Sequence, residues 1–273
     1  RHREALSACR ETIGAPGKPI FRIAENRRGH FNLSRMANII CMKWGTKYGP
    51  EFVNRLRSMV RRHLKRPHRF VCFTDDATGL DADIECLPLP PMDLPPGKER
   101  GWRKLSTFCS PLADLSGPTL FLDIDIVIVG PLDDFFDHPG EFCIIHDWVR
   151  PWRITGNSSV YRFEAGAHPD VLSYFLANID RVKSEVRNEQ EYLSREIHRQ
   201  KKLSYWPKEW CVSFKYGCIP TFPLNFFKEP RIPEGARVIV FHGRPNPDEA
   251  VVGKGKGLRH HVLPTTWINE HWR

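Results

Sequence analysis

Long hydrophobic runs are missing from this sequence. No apolar run among its 273 residues approaches the roughly 20 residues that a membrane-spanning helix needs. Any contact with a membrane would therefore be peripheral. Internal repeats and low-complexity tracts are also missing, and the length fits one large domain.

A cysteine pattern for structural zinc is also missing. None of the eight cysteines forms a C-x-x-C pair, which argues against a structural zinc site. Cys41, Cys72 and Cys143 lie inside apolar runs and are expected to be small buried side chains. No signal peptide is visible, so we expect a reducing, cytoplasmic location, with peripheral association at the inner face of a membrane as an extension.

Positive charge is in excess. The sequence has 41 Lys and Arg against 32 Asp and Glu, a net charge of +9, which predicts an anionic partner. Candidates are a phosphate-bearing substrate, nucleic acid or an acidic membrane. Basic residues concentrate at 55–62 and 254–261.

The first 35 residues differ from the rest. They are polar, basic and weakly periodic, whereas the apolar run that begins at Met36 is typical of a first strand. We expect residues 1–35 to be a basic leader, either non-native or loosely attached. Residues 36–273 are then expected to form one domain.

Strand-like and helix-like segments alternate along the chain. This alternation predicts an α/β fold with a mostly parallel, Rossmann-like central sheet and helices on both faces. The predicted strands are 38–41, 69–74, 84–87, 118–129, 142–145, 160–163 and 238–241. The predicted helices are one from 51 that is ended by Pro67, and 102–112, 170–182 and 183–199, with irregular structure at 205–227.

Two acidic residues, Asp123 and Asp125, interrupt the most hydrophobic segment, 118–129. A buried carboxylate without a partner is costly. Alternate residues of a strand share a side, so both carboxylates would emerge together at a strand end, where open α/β sheets bind ligands. Mg²⁺ and Mn²⁺ favour such oxygen ligands and share phosphate oxygens. The alternative is a strand-to-loop junction with solvated or arginine-paired aspartates.

This segment, TLFLDIDIVIVGPLDDFF, resembles the D-x-D region of GT-A glycosyltransferases, especially the family of retaining bacterial lipooligosaccharide galactosyltransferases and glycogenin-like enzymes. Three more segments match in order: ANIICMKWGTKYG is similar to the nucleotide-recognition loop, GNSSVYRF to the strand that lines the donor sugar, and VIVFHGRPNP to the late element with a metal-binding histidine.

The resemblance implies a single-domain GT-A fold and a metal-dependent glycosyltransferase of the hexosyltransferase type that uses Mn²⁺ or Mg²⁺. The implied donor is a nucleotide-diphosphate sugar, with a UDP-sugar favoured, and the acceptor is a saccharide or a lipid-linked molecule. The implied metal ligands are Asp123, Asp125 and His242. The implied nucleotide-binding residues are Lys43, Trp44, Tyr48, Asp76, Lys104, Asp123 and Arg244. The lysine that follows the histidine in the family has no counterpart here, and Arg244 is displaced from its place.

The resemblance assigns sugar binding and catalysis to other segments of the sequence. Asn157, Ser158 and Ser159 would bind sugar hydroxyls. Glu189 and Gln190 stand where the family has an Asp-Gln pair, and Asp147 is an alternative carboxylate. An inverting enzyme would use Asp147 or Glu189 as a base, whereas a retaining enzyme needs no base beside the acceptor.

Two other functions compete with this one. A sugar-1-phosphate nucleotidyltransferase would need a glycine-rich basic loop after the first strand, and KWGTKYGP is a poor match. A non-catalytic basic module for nucleic acid or anionic lipid would explain 55–62 and 254–261. It leaves Asp123 and Asp125 unexplained, because acidic pairs repel phosphate, so nucleic acid is a disfavoured partner.

Overall fold

The computed structural model describes residues 36–95, 97, 99, 101–255 and 257–273. The predicted leader, 1–35, lies outside the described residues. The strands are β1 (Ala37–Lys43), β2 (His68–Thr74), β3 (Glu85–Pro88), β4 (Pro118–Leu122), β5 (Ile126–Ile128), β6 (Phe142–His146), β7 (Gly156–Glu164), β8 (Leu203–Tyr205), β9 (Cys211–Ser213) and β10 (Val238–Val240).

The α-helices are α1 (Pro50–His63), α2 (Asp133–Asp137), α3 (Pro169–Ala177), α4 (Ile179–Glu185), α5 (Glu189–Arg199), α6 (Pro247–Val251) and α7 (Trp267–His271). Short 3₁₀ helices cover Trp102–Phe108, Leu224–Phe226 and Leu258–His260, and a π-helix covers Phe214–Cys218. Among the described residues, no helix is both long enough and apolar enough to cross a membrane.

Seven strands form the central sheet in the order β3-β2-β1-β4-β7-β6-β8. Only β7 runs antiparallel to its neighbours, β4 and β6, among the pairs that the described residues form in this sheet. Every residue of β1 is buried, as expected for a strand covered on both faces. Cys41 and Cys72 are fully buried, and so is Cys143, which confirms their predicted placement.

Helices cover both faces of this sheet. Ile39 of β1 belongs to a core that includes the apolar face of α1. Ile40 points the other way, into a second core with α3, α5 and the 3₁₀ helix Trp102–Phe108. The period-two alternation of a strand produces this division. The predicted α/β architecture with a mostly parallel sheet is confirmed.

The segment predicted as one strand, 118–129, is two strands in different sheets. β4 lies in the central sheet, whereas β5 pairs antiparallel with β10 in a three-stranded sheet, β5-β10-β9. Residues 123–125 form the turn between them. The prediction of one strand was wrong because the carboxylates interrupt the apolar pattern where the chain leaves the central sheet.

Several predicted helices differ in extent. The helix predicted at 102–112 is a 3₁₀ helix that ends at Phe108, consistent with the restriction that Pro111 places on the residue before it. The helix predicted at 183–199 begins only at Glu189, because Asn188 caps it, and residues 183–185 belong to α4. The stretch predicted as irregular, 205–227, contains β9 and the π-helix.

Candidate active site

An ion pair between Lys104 and Asp123 lies where β4 ends. The Nζ atom of Lys104, from the 3₁₀ helix Trp102–Phe108, lies 2.6 Å from Oδ1 and 2.8 Å from Oδ2 of Asp123. The backbone N–H of Asp123 donates to the Ser159 carbonyl at 2.8 Å, which fixes the start of the turn to β7. Burial alone would lower the pKa of Lys104, but the charges of Asp123 and Glu189 outweigh burial and raise it.

Asp125 is held by Tyr48, from the loop after β1. The Tyr48 hydroxyl donates to Oδ2 of Asp125 at 2.5 Å, and Lys47 donates to the same hydroxyl at 2.7 Å. Burial and the neighbouring charge of Asp123 raise the pKa of Asp125 to about 6. Burial and the charge of Asp125 raise the pKa of Tyr48, so its hydroxyl stays a neutral donor. The pair Asp123 and Asp125 therefore crowds negative charge into a small volume.

A third carboxylate, Glu189, joins them from the first turn of α5. Glu189 is only 3% exposed, and its Oε1 atom has no hydrogen-bond partner among the described residues. Burial raises the pKa of Glu189 to about 7. The side chain of Ser158 hydrogen-bonds to this carboxylate, and Lys104 lies close enough to act on it. The site thus holds three carboxylates around one lysine, with Lys47 at its edge.

The predicted sugar-binding residues line the same region along β7. Asn157 donates from Nδ2 to Oε1 of Gln190 at 3.4 Å and accepts from the Ser159 N–H at 3.0 Å. All three predicted residues, Asn157, Ser158 and Ser159, are buried. Gln190 follows Glu189 in α5, so the structure brings the predicted sugar-binding and catalytic residues of these two elements together.

His242 reaches the same end of the molecule by sheet register. Val240 of β10 pairs with Ile126 of β5, so the chain leaves β10 toward His242 beside the turn that carries Asp125. Burial and the charge of Lys215 lower the pKa of His242 to about 4, which keeps the ring neutral. The Lys215 Nζ atom donates to the His242 carbonyl at 2.6 Å.

The imidazole of His242 is held by three side chains. Its Nε2 atom lies 2.7 Å from Oγ of Ser213, and that oxygen also accepts from the Tyr216 N–H at 3.3 Å. Oγ of Ser213 thus joins the imidazole to the backbone of the π-helix. The rings of Trp148 and Tyr216 stack near the imidazole, with centroids at 5.4 Å and 5.5 Å. The ring is thereby oriented toward Ser213.

The donor set suits a divalent cation in part. Two adjacent carboxylates are ligands of the hard oxygen type that Mg²⁺ and Mn²⁺ prefer, and burial together with the charge of Asp123 raises the pKa of Asp125. Within the described residues, however, no three His, Cys, Asp or Glu side chains form a group that could hold a metal. Nε2 of His242 is bonded to Ser213, and the three-ligand set of Asp123, Asp125 and His242 stays a prediction.

Asp147 lies on a separate cavity beside His242. The cavity has a volume of about 290 Å³, and Asp147, Trp148, Ser213 and Tyr216 are among its lining residues. Oδ1 of Asp147 accepts from the Val149 N–H at 2.9 Å. The cavity adjoins the histidine rather than the Lys104 ion pair, so Asp147 is grouped with His242.

Four predicted nucleotide-binding residues make other contacts. Lys43 is buried and its Nζ atom donates to the Asp76 carbonyl at 3.4 Å, while Oδ1 of Asp76 accepts from the Thr78 N–H. Trp44 packs against the core. The side chain of Arg244 is 77% exposed and pairs with Glu249 at 3.5 Å. Each lies at the end of a strand or just after it.

Two solved structures resemble this arrangement of elements. One is the galactosyltransferase LgtC in complex with donor and acceptor sugar analogues, with a TM-score of 0.53 and 14% identity over 77% of this chain and 88% of that chain. The other is the apo form of the glycosyltransferase GlyE in Streptococcus pneumoniae TIGR4, with a TM-score of 0.53 and 13% identity over 78% of this chain and 56% of that one. The chain has a GT-A fold.

No protein-family model matches the chain, and no curated protein matches it. The GT-A fold is therefore detected by the arrangement of the elements, and identities of 13–14% show the fold alone. The predicted fold is confirmed by this likeness.

Sequence reasoning missed the residues that orient His242. Ser213, Tyr216 and Trp148 come from segments without a motif, and Ser213 lies in a stretch predicted to be irregular. Within the GT-A fold their common feature is proximity to the ends of β6 and β9. The parallel pairing of β9 with β10 would have identified Ser213, because it places Ser213 beside Val240, two residues before His242.

Proposed function

We propose that the protein is a glycosyltransferase that moves a hexose from a nucleotide-diphosphate sugar, with a UDP-sugar favoured, to a saccharide or lipid-linked acceptor. The observation that supports this proposal most is the cluster of three carboxylates around Lys104 at the carboxyl end of β4. Open α/β sheets bind ligands at this position. Such a cluster suits a substrate that arrives with a cation and phosphates.

Asp123 and Asp125 are the residues that would hold Mn²⁺ or Mg²⁺. A bound divalent ion would neutralise charge on the diphosphate leaving group. Lys104 would then exchange part of its pairing with Asp123 for a phosphate oxygen. Tyr48 fixes the rotamer of Asp125, and its neutral hydroxyl is a donor to a carboxylate or a phosphate. His242 stays a candidate third ligand, through Nδ1 while Nε2 bonds Ser213, or through Nε2 if the ring leaves Ser213.

Glu189 and Asp147 are the candidate bases. The pKa of Glu189, raised to about 7 by burial, lies near the pH at which a general base is most effective. If the reaction inverts the anomeric centre, Glu189 or Asp147 would take the proton of the acceptor hydroxyl. If it retains, Glu189 and Gln190 would contact the donor sugar together with Asn157 and the two following serines. The cavity beside Asp147 is the proposed acceptor site.

The remaining nucleotide-binding residues stay proposals of the same kind. Trp44 and Tyr48 would contact the base, and Lys43, Asp76 and Arg244 the rest of the nucleotide. The cytoplasmic location and the contact with an anionic membrane also stay predictions. Neither follows from the fold.

Calorimetric titration of UDP and of GDP, each with and without Mn²⁺, tests this function. We expect Mn²⁺ to strengthen UDP binding by at least tenfold in the wild type, and Asp125→Asn to remove that gain, since it keeps the shape but not the charge. A panel of nucleotide sugars, scored for slow hydrolysis, then identifies the donor. If neither diphosphate gains affinity from Mn²⁺, the proposal fails. Binding of a nucleoside triphosphate with sugar-1-phosphate would favour the nucleotidyltransferase.

A further inference from the structure

Large apolar side chains are exposed together near the C-terminal part of the chain. Two segments carry them, 222–228 and the described residues of the second, 252–255 with 257–259, which we together call the Phe227 surface. The exposed fractions are 79% for Phe227 and 69% for Leu258. Phe222, Leu224 and Val252 are also exposed. Contiguous exposed apolar side chains of this kind mark a contact with a partner or a membrane.

The two segments form one surface. Asn225, only 1% exposed, donates from Nδ2 to the carbonyls of Leu258 at 2.8 Å and His261 at 3.3 Å. The ring of Phe226 stacks on that of His261, with a centroid distance of 4.3 Å. These contacts hold Phe227 and Leu258 on neighbouring loops. Their apolar side chains therefore act together.

Cations surround the apolar residues. Lys228, Arg231, Lys254 and Arg259 are all exposed, and Glu229 is the acidic residue among them. A cavity of about 470 Å³ opens beside Phe227, and Lys228, Glu229, Arg231 and Trp267 are among its lining residues. The surface therefore combines apolar side chains with an excess of positive charge.

The other basic region of the sequence, on α1, is engaged within the protein. Arg57 pairs with Asp83 at 3.3 Å, and Arg55 lies over the ring of Trp272 at 4.0 Å. Arg62 donates to the carbonyls of His271 and Arg273. Arg55 and Arg62 thereby hold the C-terminal segment, and Arg57 is paired with Asp83. These three arginines are therefore less free to bind an anionic partner than the exposed cations of the Phe227 surface.

We propose that the Phe227 surface docks on a membrane that contains anionic lipid. Apolar side chains enter the interface while neighbouring Lys and Arg side chains meet the lipid phosphates. Nucleic acid would account for the cations and, by stacking, for the two phenylalanines. It would not account for Leu224, Val252 and Leu258, which have no ring to stack on a base.

The surface extends to the candidate acceptor site. Tyr216, which lines the cavity beside Asp147, contacts His260 at a ring-centroid distance of 6.0 Å. His260 follows Arg259 on the surface. A protein docked here would present that cavity to molecules held at the membrane. The docking itself does not depend on the proposed sugar transfer.

Vesicle co-sedimentation tests the proposal. We expect the whole chain to sediment with vesicles that contain phosphatidylglycerol and not with pure phosphatidylcholine, and to be released by salt. The double variant Phe227→Ser with Leu258→Ser should sediment much more weakly. Lys254→Gln with Arg259→Gln should lower the partition coefficient roughly 25-fold, at about fivefold for each cation. Lys201→Gln, an exposed lysine before β8, is the matched control and should change nothing.

Three results would overturn the proposal: equal binding to neutral vesicles, no binding to anionic vesicles, or unchanged binding by both double variants. Retention of an RNA oligonucleotide that anionic vesicles fail to displace would assign the surface to nucleic acid instead. Slow donor hydrolysis in solution, measured on the same variants, should stay unchanged. It separates a failure of docking from a failure of the proposed enzyme activity.

Discussion

Glu189 is the residue whose ionisation should be visible in the stability of the protein. Burial raises its pKa to about 7, from 4.5 in an exposed glutamate. Between these values the folded protein holds a proton that the unfolded chain releases. The stability that this proton contributes is complete below pH 4.5 and is lost as the pH rises through about 7.

Glu189→Gln should therefore flatten the pH dependence of unfolding. We expect the free energy of unfolding of the wild type, relative to the variant, to fall by on the order of 3 kcal/mol from about pH 4 to about pH 8. Urea unfolding at several pH values measures this. Glu191→Gln is a suitable control, because the pKa of Glu191 is lowered: the hydrogen bonds from Arg187 outweigh the effect of burial. If Glu189→Gln and Glu191→Gln changed the pH dependence of the unfolding free energy equally, the assignment of that dependence to Glu189 would be wrong.

Gly101 permits the close approach of Glu189 to the 3₁₀ helix. Its φ is +80°, and a Cβ atom there would lie 2.8 Å from Oε2 of Glu189. Gly101→Ala should destabilise the protein by about 1 to 3 kcal/mol, from backbone strain and this contact, and should slow donor hydrolysis. Gly45→Ala is the control, since it has φ +62° and no atom within 4 Å of a Cβ. Equal losses in both variants would show that strain alone acts.

The first turn of α5 carries the catalytic candidates, so its cap should matter to both stability and activity. Oδ1 of Asn188 accepts from the Glu191 N–H at 3.2 Å. Asn188→Ala should cost about 1 kcal/mol, or roughly 2 to 4 °C in Tm, and Asn188→Ser should retain most of the cap. Calorimetry measures the melting shift and a donor-hydrolysis assay the activity. Full activity in the alanine variant would show that Glu189 needs no cap for its position.

Elements with a clear period were predictable from the sequence. β1 and β2 each contain a run of four apolar residues, 39–42 and 70–73, and the apolar face of α1 repeats at helical spacing. β5 and β9 were not predictable as separate strands. They have three residues each, and their identity depends on pairing with β10, which no local pattern contains.

The sequence predicted those residues of the candidate site whose side chains are unusual for the segment in which they lie. Two carboxylates in an apolar run marked Asp123 and Asp125, and the family resemblance added Glu189 and Lys104. That these residues form one cluster is a result of the structure. The bond between Ser213 and His242 was out of reach, because it joins the ends of two short strands.

At the scale of the whole molecule, Mn²⁺ and UDP should stabilise the fold only when both are present. Mn²⁺ and UDP together should raise Tm by about 5 to 10 °C at a hundredfold excess over Kd, whereas either one alone should have a small effect. Differential scanning calorimetry with EDTA as the control measures this. Asp125→Asn should lose the joint effect. An equal rise with UDP in EDTA would remove the cation from the proposal.

The turn at 123–125 has a consequence for variation among related chains. One three-residue turn both joins the two sheets and carries both aspartates. Any insertion or deletion there would rotate one sheet against the other and separate the acidic groups at the same time. Length differences among active homologues should therefore collect in outer loops such as 147–155 and be excluded between Leu122 and Ile126.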